Sequence, residues 1–233
     1  MAIAPFLAMT GPEICKTPSL PPRIAWMACH FSPYGLGLSN LPKDLPAGSL
    51  LMVDDITPPH GHDPQLIAEQ LSGCVETLQC CAVLLDFQRE GCRETQSIAK
   101  QLADALPCPT AVSDRYAHDL DCIVFLPCLP PSVPLEEYLH PWKGREIWLE
   151  LGTDGEMITL TEKGAEVCPL PYPDPKKEGF ADNGLHCHYT METNEKSAGF
   201  TLWRTKEDLV QLLEEAESLG VAEAVGLFQE FTK

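Results

Sequence analysis

Residues 82–91, AVLLDFQREG, place four consecutive apolar residues directly before Asp86. A short run of this kind reads as a strand buried on both faces, as in a parallel sheet. It ends on a carboxylate, and Gln88, Arg89 and Glu90 follow. A buried strand that delivers an acid has two explanations. The acid caps or turns the next element, or it stands at a polar opening.

The pattern recurs along the chain. Apolar runs at 23–32, 49–55, 81–88, 109–116, 122–128, 145–152, 199–205 and 224–231 each end in polar or special residues. Between some of them lie helical stretches. Residues 63–79 open with Asp63 as N-cap and Pro64 at the first helical position. Residues 94–106 carry Ile98, Leu102, Ala105 and Leu106 on one face. Residues 205–220 begin with Thr205 and Asp208 in capping-box spacing and end at Gly220. Alternating buried strands and helices predict a parallel sheet, and eight strands predict closure. The expected fold is therefore α/β, a small irregular (β/α)8 TIM-like barrel. Some helices are missing, because 33–48 is rich in Pro and Gly and 117–121 is too short. Residues 155–170 and 185–205 read as inserted β-hairpins. Residues 1–22 read as an extended N-terminal arm and 23–233 as one barrel domain.

A barrel of this type gathers its chemistry at the carboxyl ends of the strands. His30, Asp55, Asp86, Asp114, Glu150 and Glu230 would then share one mouth. Capping explains Asp63 and Thr205 well. It explains Asp86 and Glu230 poorly, since Asp86 precedes the next helix by several residues and Glu230 has no helix after it.

Within DFQRE, Asp86, Gln88 and Glu90 alternate. The run resembles the strand signature of family 18 glycoside hydrolases, D-x-D-x-E, with Gln88 in place of the middle acid. By the sequence count it is the third strand, and the family's signature lies on the fourth. The resemblance implies a glycosidase-type barrel, with Glu90 at the proton-donor position and Gln88 at the orienting one. Cleaving a glycosidic bond needs one carboxylic acid to protonate the leaving oxygen and a second carboxylate as nucleophile or base. Spacing favours Asp86 and Glu230 as that pair, with Asp55, Asp114 and Glu150 in support. His30, Gln88, Arg89, Tyr116, Trp203, Arg204 and Gln229 are the expected substrate contacts, with Tyr116 and Trp203 as stacking surfaces.

Two alternatives stand beside this. The barrel binds a ligand or partner without turnover, or a metal-dependent hydrolase uses His186 and His188. Those two lie one residue apart in LHCHY, as His60 and His62 do in PHGHD. There is no phosphate loop, dinucleotide fingerprint or nucleophile elbow, and no cofactor is expected. Thirty-four acids against 16 bases give a net charge of −18. That disfavours nucleic acid and anionic membranes and suits a neutral or polyhydroxylated ligand such as an oligosaccharide. Eleven cysteines without a CxxC pair, several inside apolar runs, suit a reducing, cytoplasmic compartment. The opening MAIAPFLAMT lacks a basic segment before its apolar residues, so no signal peptide is expected.

Overall fold

The computed structural model describes residues 3–89, 93–171, 173–174 and 178–232. The chain starts with β1 (Phe6–Met9), α1 (Gly11–Lys16), β2 (Ile24–Phe31), β3 (Leu38–Ser39), β4 (Leu50–Asp54) and α2 (Pro64–Leu78). It continues with β5 (Ala82–Asp86), α3 (Arg93–Ala105), β6 (Thr110–Ser113), α4 (Asp114–Ala117), β7 (Ile123–Leu126), α5 (Leu135–Leu139) and β8 (Ile147–Leu151). An inserted segment carries β9 (Gly155–Thr161), β10 (Gly164–Leu170), β11 (Phe180–Asp182), β12 (Cys187–Thr193) and β13 (Ser197–Trp203). The chain then returns through α6 (Lys206–Ser218), β14 (Glu223–Leu227) and α7 (Phe228–Thr232).

Strand β1 pairs in parallel with both β2 and β14. That closes eight parallel strands into a barrel, in the order β1, β2, β4, β5, β6, β7, β8, β14. The expected count of eight holds, but its membership differs in two places. The segment expected as an arm supplies β1, because FLAM is itself a short buried run, with Phe6 and Met9 almost wholly enclosed. Residues 199–205, expected as a barrel strand, fall in β13, an antiparallel strand between β9 and β12. With β1 counted, β5 becomes the fourth barrel strand, the position the family resemblance implies.

Alternation sorts the barrel's side chains into two sets. Phe6, Ala8, Leu50, Met52, Ala82, Leu84, Ala111, Phe125, Trp148 and Val225 fill the interior. Their neighbours Leu51, Val53, Val83, Leu85, Val112, Val124 and Leu149 face outward and pack with Ile67, Leu71, Ile98, Leu102, Leu209 and Leu212 of the helices. Both faces are buried, so the strands read as continuous apolar runs rather than alternating ones.

The two hairpins seen in the sequence form one five-stranded antiparallel sheet, because β13 pairs with β9. This lobe docks on α6. His188 Nδ1 lies 2.9 Å from Asp208 Oδ2, and His186 pairs with Glu215. Asp208 also completes the capping box at the start of α6, accepting the Thr205 N–H at 2.8 Å. No helix among the described residues is long and apolar enough to cross a membrane.

Candidate active site

The interior face of each strand continues to the carboxyl end of the barrel, where it turns polar. On β4 the inward series Leu50, Met52 leads to Asp54, and on β5 Ala82, Leu84 leads to Asp86. On β6, Ala111 leads to Ser113, and on β8, Trp148 leads to Glu150. A register shift in β2 between Trp26 and Cys29 brings His30 opposite Asp54. Asp54 in turn stands opposite Asp86. The mouth is therefore a ring of His30, Asp54, Asp86, Ser113 and Glu150 on five strands.

Asp86 Oδ1 accepts a 2.6 Å hydrogen bond from the Gln88 side-chain amide and a 3.4 Å one from the Ser113 hydroxyl. Burial pushes its carboxyl up, and these two donors oppose the rise. Glu150 Oε2 accepts the Cys128 N–H at 3.2 Å. Its pKa is pushed up to about 7, first by burial and then by the negative charge of Asp86. Asp54 is also raised by burial, with His30 acting against the rise. Two interacting carboxyl groups whose pKa values are driven apart can divide acid and base roles between them. The charge of an ionised Asp86 would favour the protonated form of Glu150.

The other expected residues sit elsewhere. Asp55 is 3% exposed and turned away from the ring. It accepts the backbone N–H groups of Gln88 at 2.9 Å and Arg89 at 3.2 Å, and so fixes the loop after β5. Asp114 opens α4 and accepts the Arg115 N–H at 2.7 Å. Glu230, expected as the partner of Asp86, lies on α7, because β14 stops at Leu227. It accepts the Thr153 N–H at 3.2 Å, and burial raises its pKa. Glu90 lies outside the described residues.

Among the expected substrate contacts, Arg89 donates from its guanidinium to the carbonyls of Asp55 and Ile56, each at 2.8 Å. Gln88 is exposed at the mouth. Gln229 donates to Glu13 at 2.6 Å and ties α7 to α1. Tyr116 and Trp203 are each 1% exposed, so they belong to the core and offer no stacking face. The Tyr116 hydroxyl donates to the Arg89 carbonyl at 3.0 Å. Trp203 stacks on His188. Arg204, 2% exposed, donates to the carbonyls of His186, Leu129, Pro130 and Leu185. It clamps the inserted lobe to the loop after β7, and burial lowers its pKa.

Sequence reasoning left Asp54, Ser113 and Cys128 out of the site. The inner-face period marks the first two once Leu50, Met52 and Ala111 are known to point inward. His186 and His188 each pair with a different carboxylate of α6, and His186 adopts a left-handed backbone (φ 47°). His60 pairs with Glu94 at 3.3 Å, and His62 bonds the Ser32 carbonyl at 2.9 Å. Among the described residues no three His, Cys, Asp or Glu side chains are grouped to hold a metal ion. A recess of about 480 Å³ at the opposite end of the barrel, lined by Cys108, Thr110, Cys122 and Arg145, touches none of the ring residues.

No protein-family profile matches the sequence, and no curated protein matches it. Solved structures do match its fold. The Bacillus cereus spore cortex-lytic enzyme SleL aligns over 96% of this chain and 70% of its own, at 10% identity and a TM-score of 0.56. A chitinase from Chromobacterium violaceum aligns over 90% of this chain and 88% of its own, at 9% identity and a TM-score of 0.54. The fold is a TIM barrel, similar to those of this spore cortex-lytic enzyme and this chitinase.

Proposed function

We propose that the mouth of the barrel binds a saccharide and cleaves its glycosidic bond with Glu150 as general acid and Asp86 as the anionic partner. The observation that carries this is that two inward-facing strand ends bring Asp86 and Glu150 to one mouth, where burial and the charge of Asp86 push Glu150 up to about 7. Glu150 gives its proton to the leaving oxygen. Asp86 faces the positive charge that builds at the anomeric carbon and either attacks it or draws a proton from water. Ser113 and Gln88 hold Asp86 in place through its Oδ1. No charged group of the ring is a Lys or Arg, and the Arg89 guanidinium is engaged by carbonyls. That suits neutral or amino-bearing sugars over anionic ones. We place the protein in the cytoplasm on its cysteine content.

The test is turnover of aryl glycosides, chitin fragments and spore-cortex glycan by wild type, Asp86→Asn and Glu150→Gln. The glycans are chosen from what the two fold neighbours are named for. The expected result is a loss of ~10²-fold or more in each variant, as for removal of an acid or base. Wild-type turnover should fall as pH rises through about 7, where Glu150 loses its proton. Turnover that survives both substitutions would remove the pair from the mechanism.

A second reading, saccharide binding without cleavage, is favoured by one observation. Gln88, an amide, takes up Asp86 Oδ1 at 2.6 Å where the resembled signature has an acid. Calorimetric binding of the same glycans, weakened by Asp86→Asn with no product formed, would select it.

A further inference from the structure

We infer that the apolar face of the inserted five-stranded sheet is a self-association surface, on which a second copy of this chain docks about a two-fold axis. Directly paired residues of an antiparallel sheet share a face. Ile158 pairs with Val167 and with Phe200, Phe200 pairs with Met191, and Phe180 pairs with Tyr189. Tyr189 and Met191 are two residues apart on β12, so all six stand on one side of the sheet. The other side carries Thr159, Glu166, Thr190, Glu192 and Thr201, and it reaches α6 through His188. A sheet with one polar and one apolar face ordinarily buries the apolar one. Here that face is open. Phe180 is 68% exposed, Met191 55% and Val167 52%. Large apolar residues exposed together on one surface mark an interaction site.

Charge selects the partner. Among the described residues of the five strands, the charged ones on the apolar side are Glu156 and Asp182. Both are engaged by backbone N–H groups, Glu156 by that of Ser132 at 3.0 Å and Asp182 by that of Gly184 at 2.9 Å. The rest of that face is uncharged, on a chain whose net charge is −18. Such a charge repels an anionic membrane or an acidic partner, and it makes two copies repel in most orientations. Face to face on this sheet, two copies meet without setting free carboxylates against each other.

Shape and size point the same way. Beside the projecting Phe180, a recess of about 350 Å³ is lined by Ile158, Tyr189 and Phe200. A projection and a hollow on one surface are what a two-fold axis brings together, since each copy offers both. Strand spacing and rise give the five strands about 500 Å² of plane, so a pair covers about 1,000 Å². That is the lower bound for a specific interface, and the dimer should be weak, dissociating in the micromolar range.

The test is sedimentation velocity from ~5 to ~500 µM protein, a span that brackets a micromolar constant. Wild type should move from the monomer mass toward twice that mass. Raising salt from ~0.05 to ~0.5 M should strengthen the association, because the repulsion between two acidic chains is screened. Met191→Glu puts a carboxylate on the apolar face of each copy and should weaken association by ~10-fold or more. Thr159→Glu puts the same charge on the opposite side and should leave association close to wild type. A second readout needs no substitution. The methyl signals of Met191 and Val167 in wild type should shift with protein concentration, and that of Met157, on the opposite side, should not. A single species of monomer mass across the whole range would overturn the inference. So would dimers that Met191→Glu leaves as tight as wild type, or concentration shifts confined to Met157. Chitin fragments or spore-cortex glycan that shift Met191 and Val167 in a sample that stays monomeric would give the face to a saccharide and overturn self-association too. None of these readouts depends on the proposed reaction, so a failure to find glycan turnover bears on that reaction alone.

Discussion

Glu150→Gln should make the protein more stable above neutral pH and leave it little changed in acid. The native carboxyl has a pKa of about 7 against an ordinary value of 4.5. Between those two values the native state holds a proton that the unfolded state has released. Stability must then fall as pH rises, the reverse of a salt-bridged carboxylate. The loss begins near 4.5, is complete above about 7, and at about 1.4 kcal/mol per pH unit amounts to ~3 kcal/mol. Relaxation around the charge and entry of water at an open mouth reduce this, so ~1.5–3 kcal/mol is expected. Gln cannot titrate. Its carbonyl still accepts the Cys128 N–H, and its amide can donate toward Asp86. Urea unfolding of wild type and variant at pH 5, 6, 7 and 8 gives the difference directly, and other titrating groups largely cancel. The expected difference is near zero at pH 5 and grows to ~1.5–3 kcal/mol in favour of Gln at pH 8. Parallel curves across that range would refute the burial of Glu150 beside a charged Asp86. A variant that loses ground to wild type between pH 5 and pH 8 would refute the sign as well.

Asp55→Ala should strip the loop after β5 of its acceptor and destabilise the protein by ~1–3 kcal/mol. Faster amide exchange at Gln88 and Arg89 would localise the effect, and unchanged exchange would count against it. Arg204→Met keeps bulk but leaves the carbonyls of Leu129, Pro130, Leu185 and His186 without their donor. A cost of ~2–4 kcal/mol in urea unfolding is expected, and a variant within 0.5 kcal/mol of wild type, the ordinary span of a surface change, would contradict the clamp. Asp208→Asn weakens both the capping box of α6 and the contact with His188, so ~1–2 kcal/mol should be lost. Proteolysis within residues 187–203 should then speed up, and an unaltered cleavage pattern would deny that Asp208 anchors the lobe.

Most of the barrel is legible in the sequence because strands buried on both faces must be apolar throughout. That same property conceals which runs belong. FLAM at 6–9 is only four residues long between Pro5 and Gly11–Pro12, so punctuation dominates its pattern. GFTLWRT at 199–205 looks apolar enough for the barrel, yet only Leu202 and Trp203 within it are buried hydrophobics. Pairing partners decide both cases, and partners are distant in sequence. Phe6 finds Val225, whereas Leu202 finds Tyr189 and Glu156.

The site divides in the same way. That strands end in acids is visible from sequence, and the inward placement of Asp86 and Glu150 follows from it. Which of two adjacent acids faces inward is not visible, because it depends on the phase of the pleat. Asp54 and Asp55 differ by one residue. One joins the ring, and the other is buried outside it as a loop anchor. Leu50 and Met52 fix that phase, and nothing local says which face they occupy until the barrel closes. Glu230 leaves the strand-end series for a related reason, since β14 gives way to helix at Phe228 and alternation no longer applies. Adding β1 moves DFQRE from third strand to fourth, which strengthens the family likeness in position. The chemistry does not follow as simply. Gln88 stands where the signature has its orienting acid, and Glu90, at its proton-donor position, lies outside the described residues. Among the described inward carboxyl groups, Glu150 is the one whose surroundings hold a proton near neutrality.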